Sequence, residues 1–189
     1  MWGRMDIHRI WYMKEVNGRW TAPKRSSFSK FPSFTPVFSP DGSKLFYSSQ
    51  RPVQPGGDLN RANDLWYVER RDGAASWSAP RHLGMHLHNR NRREIDPHIT
   101  ADNTLYFSTR GLSQISKSRF IDGIYQKPEA LGNLFDPDST IVDNCKQRKY
   151  LIVASDRRKG NFLYELYVSF HQADGRWSKP VFMGDELHQ

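Results

Sequence analysis

Histidines and carboxylates are the side chains of this chain best suited by type and spacing to do chemistry. His82, His86, His88 and His98 lie close together in sequence. Zinc takes nitrogen and sulfur ligands that converge in three dimensions, and His86 and His88, at i and i+2 of an extended segment, would point the same way. Their spacing matches no established zinc pattern, and Leu83-Gly84-Met85-His86-Leu87-His88-Asn89 reads as a linker between repeated units. No metal and no cofactor is assigned on these residues. Glu94-Ile95-Asp96-Pro97 and Asp136-Pro137-Asp138 offer paired carboxylates of the kind that glycosidases place across a cleft. Both stand just ahead of a first strand, where Asp and Pro are ordinary turn residues, and they are read as entries into a unit. Cys145 lies beside Lys146, Arg148 and Lys149, and basic surroundings favour a thiolate. No Gly-rich phosphate loop leads into a helix, and no Ser-His-Asp order can be proposed from the sequence alone.

The elements that must position these residues repeat. Residues Thr35 to Gly84 contain four β-like runs: Thr35-Pro36-Val37-Phe38, Lys44-Leu45-Phe46-Tyr47-Ser48-Ser49, Asp64-Leu65-Trp66-Tyr67-Val68-Glu69, and Ala75-Ser76-Trp77-Ser78-Ala79-Pro80, which ends at Leu83-Gly84 and puts Trp77 on the outer strand. Short alternating runs separated by Pro, Asp and Gly predict antiparallel strands. Trp77 with Pro80 recurs as Trp20 with Pro23, Tyr125 with Pro128, and Trp177 with Pro180, each preceded by a turn glycine: Gly73, Gly18, Gly123 and Gly175. Leu45 to Ser49 is echoed by Leu105-Tyr106-Phe107-Ser108-Thr109 and Leu151-Ile152-Val153-Ala154-Ser155, and each echo is closed by an arginine, Arg51, Arg110 or Arg157. Self-similarity at a period of about 50 residues marks supersecondary units that bury their faces on one another. No helix-period segment of convincing length interrupts the pattern. The expectation is an all-β chain of about fourteen strands, a β-propeller array of four-stranded antiparallel blades with about three and a half blades present. Residues 1-34 give the C-terminal half of a blade and a connector, and 35-84, 85-132 and 133-189 a blade each, all in one domain. Closed propellers carry about four to eight blades, so the array is expected to be part of a larger ring or to complete itself by association.

Pro40-Asp41-Gly42, Leu45 to Ser49 with Arg51, Asp64-Leu65-Trp66, the Gly-x-Trp-x-x-Pro pattern and Leu83-Gly84 resemble the WD-like repeats of TolB-type bacterial propellers. The last unit, Tyr150 to Arg157 with Leu166 to Phe170 and Asp174 to Trp177, resembles that family closely, and the likeness runs over almost the whole chain after about Ile7. It departs where Asp-Gly becomes Asp102-Asn103 and Asp143-Asn144, and where Ser116 replaces the usual aromatic. The resemblance implies a six-bladed ring and a periplasmic or extracellular setting. It implies no single activity, because such propellers serve as binding scaffolds and as accessory domains of enzymes.

With 37% hydrophobic and 13% aromatic residues, the chain can build a core, and its one cysteine excludes an internal disulfide. No run approaches the length of a membrane span, and Met1 to Asp6 lacks the apolar core of a signal peptide. The net charge is +8. Clusters at Arg70-Arg71, Arg90 to Arg93, Lys146 to Lys149 and Arg157 to Lys159 could meet an anionic partner. The aromatics follow the repeat rather than the charges and no nucleic-acid motif accompanies them, so a protein or polar, anionic glycan is expected as partner rather than nucleic acid.

The loop between second and third strands and the linker between units should emerge on one face. Here those are Gln50 to Asn63 and Arg81 to Asp96, and long loops in a compact array are usually functional or disordered. Arg61, Arg92 and Arg93 bring positive charge next to Asp58, Glu94 and Asp96, and this is the expected binding face. The repeated Arg51, Arg110 and Arg157 are read as structural, pairing with Asp64 or Glu165 on the adjacent strand. The favoured function is a non-catalytic binding module. The alternative is a fragment of a propeller hydrolase or lyase acting on anionic carbohydrate.

Overall fold

The computed structural model describes residues 8–60, 62–70, 76–87, 92–110, 114–131, 140–145, 150–155 and 164–184; of residues 110, 114 and 140–145 it describes the backbone only. Every regular element among them is a strand. Three four-stranded antiparallel sheets follow one another along the chain. The first is built from β5 (Ser33–Phe38), β6 (Lys44–Ser49), β7 (Asp64–Glu69) and β8 (Arg81–His82). The second holds β9 (Arg93–Ile99), β10 (Leu105–Arg110), β11 (Gln114–Ser118) and β14 (Glu129–Ala130), with a small hairpin, β12 (Phe120–Ile121) and β13 (Ile124–Tyr125), before its last strand. The third is β15 (Thr140–Cys145), β16 (Tyr150–Ser155), β17 (Glu165–Phe170) and β18 (Val181–Phe182). Ahead of them β1 (Trp11–Tyr12) pairs with β4 (Lys24–Arg25), and the hairpin of β2 (Glu15–Val16) and β3 (Arg19–Trp20) lies between the two in sequence.

That N-terminal piece is the second half of a unit. Trp11 and Tyr12 face Arg25 and Lys24 as Trp66 and Tyr67 face His82 and Arg81, and as Tyr167 and Val168 face Phe182 and Val181. The equivalence extends to single hydrogen bonds. After each repeated aromatic, the next residue donates its N–H back across the hairpin: Thr21 to Lys14 O, Ser78 to Glu69 O, Gln126 to Arg119 O and Ser178 to Phe170 O, each at 2.8 Å. The last strand is closed in every unit as well, by Ser26 to Ile10 O, Leu83 to Leu65 O, Leu131 to Ile115 O and Met183 to Leu166 O. Trp20, Trp77, Tyr125 and Trp177 are thus at one structural position, but it lies just ahead of the outer strand and not on it as the sequence suggests.

Alternation places the core between sheets rather than within them. Successive strand residues point to opposite faces. Leu45, Tyr47, Trp66 and Val68 therefore join Ile10 and Phe28 in one cluster, while Phe46 and Leu65 join Leu105, Phe107 and Tyr125 in the next. A third cluster ties Tyr106 and Ile115 to Leu151 and Val153. The first strands gather, β9 lying against both β5 and β15.

Three expectations need correction. The described residues form 18 strands rather than about fourteen, because the hairpins between third and fourth strands add their own short pairs. The second sheet starts at Arg93 and not near Pro97: Pro97 sits inside β9, where a register shift opposite Tyr106 to Ser108 removes the need for its missing N–H. The first sheet has the same irregularity between Phe34 and Val37, with Pro36 inside it. The supposed loop from Arg81 to Asp96 is therefore shorter, since Arg81–His82 is β8 and Arg93 onward is β9.

Candidate functional site

In each antiparallel sheet the first strand begins, the second ends, the third begins and the fourth ends at one common edge. The segments 50–63 and 83–92 both leave from this edge, as the sequence suggests. Residues 50–60 are shaped by their own hydrogen bonds: Gly57 N–H donates to Gln54 O at 3.1 Å, Ala62 N–H to the Asn60 side chain at 3.0 Å, and Asn60 N–H to Gln50 O at 2.9 Å. Gly56, at φ 78°, turns the chain here. Asn63 takes the left-handed conformation at φ 49°, and its carbonyl accepts the Glu94 N–H at 3.3 Å, which ties this loop to the start of β9 in the next sheet.

Beneath the loops lies a buried polar layer. Ser33, Ser49, Gln50, Asn63, Asp64 and Glu94 are all buried. Ser49 Oγ donates to Pro32 O at 2.9 Å and meets Ser33 Oγ at 3.3 Å. Asp64, fully buried at the start of β7, lies 3.1 Å from His82 Nε2. His82 Nδ1 accepts the Gly84 N–H at 3.2 Å, so in the neutral ring Nε2 carries the proton that Asp64 accepts. The ring also stands edge-on to Trp66 at 5.1 Å.

The sequence-singled residues divide. Asp58 is exposed in the loop. Arg92 and Arg93 stand at the loop-face end of β9, and Glu94 follows them, buried. Arg92 Nη1 is enclosed and has no acceptor among the described residues. Asp96 occupies the irregularity of β9 at φ 53°, and its N–H donates to Thr35 Oγ1 of the first sheet at 3.3 Å. The carboxylates Glu94 and Asp96 belong to a strand and not to an entry turn. Arg61, Arg157, His88 and Asp136 to Asp138 lie outside the described residues, as do the side chains of Arg110 and Cys145.

Arg51 does not pair with Asp64 as expected. Its Nη2 donates to Phe28 O at 3.0 Å, and its guanidinium lies over Phe31 at 4.7 Å and Trp66 at 5.6 Å. A planar, weakly hydrated cation stacks well on rings, and an aromatic cleft was available. The histidines are separate too. His86 Nε2 bonds the Tyr125 carbonyl while His82 serves Asp64. Among the described residues no three His, Cys, Asp or Glu side chains gather to hold a metal.

One feature escapes sequence reasoning. A cavity of about 400 Å³ opens between the first sheet and the β12–β13 hairpin, lined among others by Lys44, Tyr67, Glu69, Arg81, Phe120 and Tyr125. Its charges are already matched: Lys44 and Arg81 meet Glu69 at 3.5 and 3.3 Å, and Lys44 lies over the Phe120 ring at 5.4 Å. Burial holds the Tyr125 hydroxyl well above the ordinary phenol range, so it is a neutral hydrogen-bonding group. The only signal in the sequence was Lys44 and Glu69 at opposite ends of paired runs.

No family model and no curated protein matches the chain. Its fold has a counterpart. A crystal structure from Bacteroides uniformis ATCC 8492, described as that of a "putative 6-phosphogluconolactonase", superposes with a TM-score of 0.52 at 14% identity, over 92% of this chain and 48% of that one. The likeness is one of fold, and this chain spans about half the length of that neighbour.

Proposed function

We propose that this chain is a segment of a TolB-type β-propeller, its three sheets and half-unit being blades, and that it is a non-catalytic module binding a polar or anionic partner on the loop face. The observation that carries the reading is the Arg92 guanidinium, with an enclosed nitrogen and no acceptor among the described residues, at the edge where the loops 50–63 and 83–92 emerge. A buried donor without a partner is costly. A carboxylate, sulfate or phosphate supplied by a ligand would meet it, and Arg93 beside it would add attraction. The buried Asp64 carboxylate of the polar layer is engaged by His82, which argues for binding over hydrolysis.

A second reading is favoured by one finding. The structural neighbour carries the name of a lactonase of a phosphorylated sugar acid, which fits a propeller hydrolase acting on anionic carbohydrate. Titration calorimetry with 6-phosphogluconate, polygalacturonate and neutral dextran separates these. The binding reading expects heat with an anionic saccharide and none with dextran, and a loss of at least about tenfold in affinity for Arg92→Glu/Arg93→Glu, the scale of one lost charge-assisted contact. Unchanged affinity in that variant overturns the site. Hydrolysis of a sugar lactone above the spontaneous rate would instead support the second reading.

A further inference from the structure

The joint between the first sheet and the β12–β13 hairpin is built differently from its neighbours. In three units the residue after the hairpin's carbonyl acceptor lies against the hairpin aromatic: Arg70 over Trp77 at 5.1 Å, His171 beside Trp177 at 5.2 Å, and Phe120 beside Tyr125 at 4.9 Å. The second unit thus presents a phenyl ring where the others present a cation or an imidazole, and its hairpin aromatic is tyrosine rather than the larger tryptophan. The first sheet faces this pair with charge. Lys44 stands opposite Glu69 across β6 and β7, and Tyr67 opposite Arg81 across β7 and β8. At the corresponding places the third sheet has Tyr150 opposite Phe170 and Val168 opposite Val181. Between the two walls lies the cavity of about 400 Å³, closed on a third side by Leu83, Gly84 and His86 of the linker. His86 bonds the Tyr125 carbonyl and so pins the linker to the hairpin. The volume falls in the range of small-molecule pockets, about 300–1,000 Å³.

Glu69 is the one acid among the described lining residues, and it meets both Lys44 and Arg81. One carboxylate balances only one of two cations. The Tyr125 hydroxyl adds no charge, because burial keeps it protonated. Arg81, with its side chain 61% exposed, reaches Glu69 and the Tyr67 hydroxyl and has five donors in its fork. The Lys44 ammonium lies 5.8 Å from the Tyr67 ring and 5.4 Å from the Phe120 ring, so the surplus charge sits at the aromatic walls. Imidazoles that could serve the hydroxyls of a sugar are engaged elsewhere: His82 with Asp64 and the Gly84 N–H, His86 with Tyr125. We propose that this cavity binds a small aromatic carboxylate, its ring against Tyr67 and Phe120 and its carboxylate on Lys44 and Arg81. Ring faces supply apolar contact with a preferred geometry, and an arginine–carboxylate pair fixes orientation. The site stands whether or not the loop face binds a saccharide.

Titration calorimetry with 4-hydroxyphenylacetate, its neutral amide and the cation tyramine tests this. The acid should bind at least about fivefold more tightly than the amide, and tyramine should give no heat. Arg81→Gln, a change at an exposed side chain, should weaken the acid about tenfold, the scale of one charge-assisted contact. Phe120→Ala should weaken it about threefold or more through the lost ring contact, with β-sheet circular dichroism retained. Arg92→Glu/Arg93→Glu should leave it unchanged. No binding of the acid up to about 10 mM, beyond the millimolar end of the affinity scale, overturns the proposal. Equal affinity for acid and amide overturns it too, as does an affinity that survives Arg81→Gln. Loss of binding in the Arg92→Glu/Arg93→Glu protein would move the acid to the loop face and overturn the cavity site, while saccharide binding there is read by its own titration.

Discussion

Asp41 and Asp102 show how one residue type is held for one structural task. In the turn after β5, Ser39 Oγ and Ser43 N–H donate to Asp41 Oδ1, and Ser43 Oγ donates to Oδ2 at 2.8 Å. Thr100, Asp102 and Thr104 repeat the arrangement after β9. These hydrogen bonds to the carboxylate, led by Ser39, lower the Asp41 pKa from 3.8 to about 2. A depressed folded-state pKa contributes stability that is fully present above the unfolded value and is lost as pH falls toward the folded one. Asp41→Asn should therefore lower the melting temperature at pH 7, with the difference shrinking between pH 4 and pH 2. A difference that persists at pH 2 would contradict this. The same turn explains one departure from the repeat. Gly42 sits at φ 69° and Asn103 at φ 61°, and asparagine is among the few residues that tolerate this region. Gly84 is less replaceable. Its φ is 118° and an added Cβ would stand 2.6 Å from the His86 ring. Gly84→Ala should destabilise by roughly 1–3 kcal/mol, read as a shift in urea midpoint, and a neutral result would contradict the strained linker.

At the scale of elements, the aromatics and the Leu-x-x-Ser/Ala-Ser/Thr runs were legible because their positions are fixed by hydrogen bonds that recur in every unit, such as those of Thr21, Ser78, Gln126 and Ser178. The start of β9 was not legible. Arg93, Glu94 and Asp96 look like loop residues and Pro97 like a strand start, yet a first strand lies at a sheet edge and can absorb polar residues and a proline at an irregularity. The short pairs β2–β3 and β12–β13 were hidden because two-residue strands carry no periodicity. The destination of Arg51 was missed since two rings and a carbonyl, all distant in sequence, outcompeted the carboxylate. Packing between sheets yields a prediction of its own. Leu65 and Leu105 are buried in the cluster joining the first two sheets, so Leu65→Ala or Leu105→Ala should cost about 2–5 kcal/mol. Denaturant unfolding reads this directly, and a loss under about 0.5 kcal/mol, the scale of an ordinary surface change, would mean that the sheets are not packed as described.

For the whole molecule, the described residues form a series of sheets whose polar loops leave on one face, in a chain of net charge +8. Charge of that sign attracts anions over a Debye length, about 10 Å at 0.1 M salt. Raising salt from about 0.05 to 0.5 M should therefore weaken binding of an anionic saccharide severalfold, and salt-independent affinity would remove the electrostatic part of the account. Arg61→Glu, Arg92→Glu and Arg93→Glu together should abolish binding, with β-sheet circular dichroism retained and some loss of melting temperature expected from the enclosed Arg92. The measurement that bears most directly on the loop face as the binding surface is hydrogen–deuterium exchange with and without polygalacturonate or 6-phosphogluconate, whichever binds. Protection is predicted in peptides covering residues 50–60, 83–87 and 92–95, with no change at the opposite edge, residues 39–43, 100–104 and 119–128. Protection at that opposite edge with the loop peptides unchanged would contradict the account.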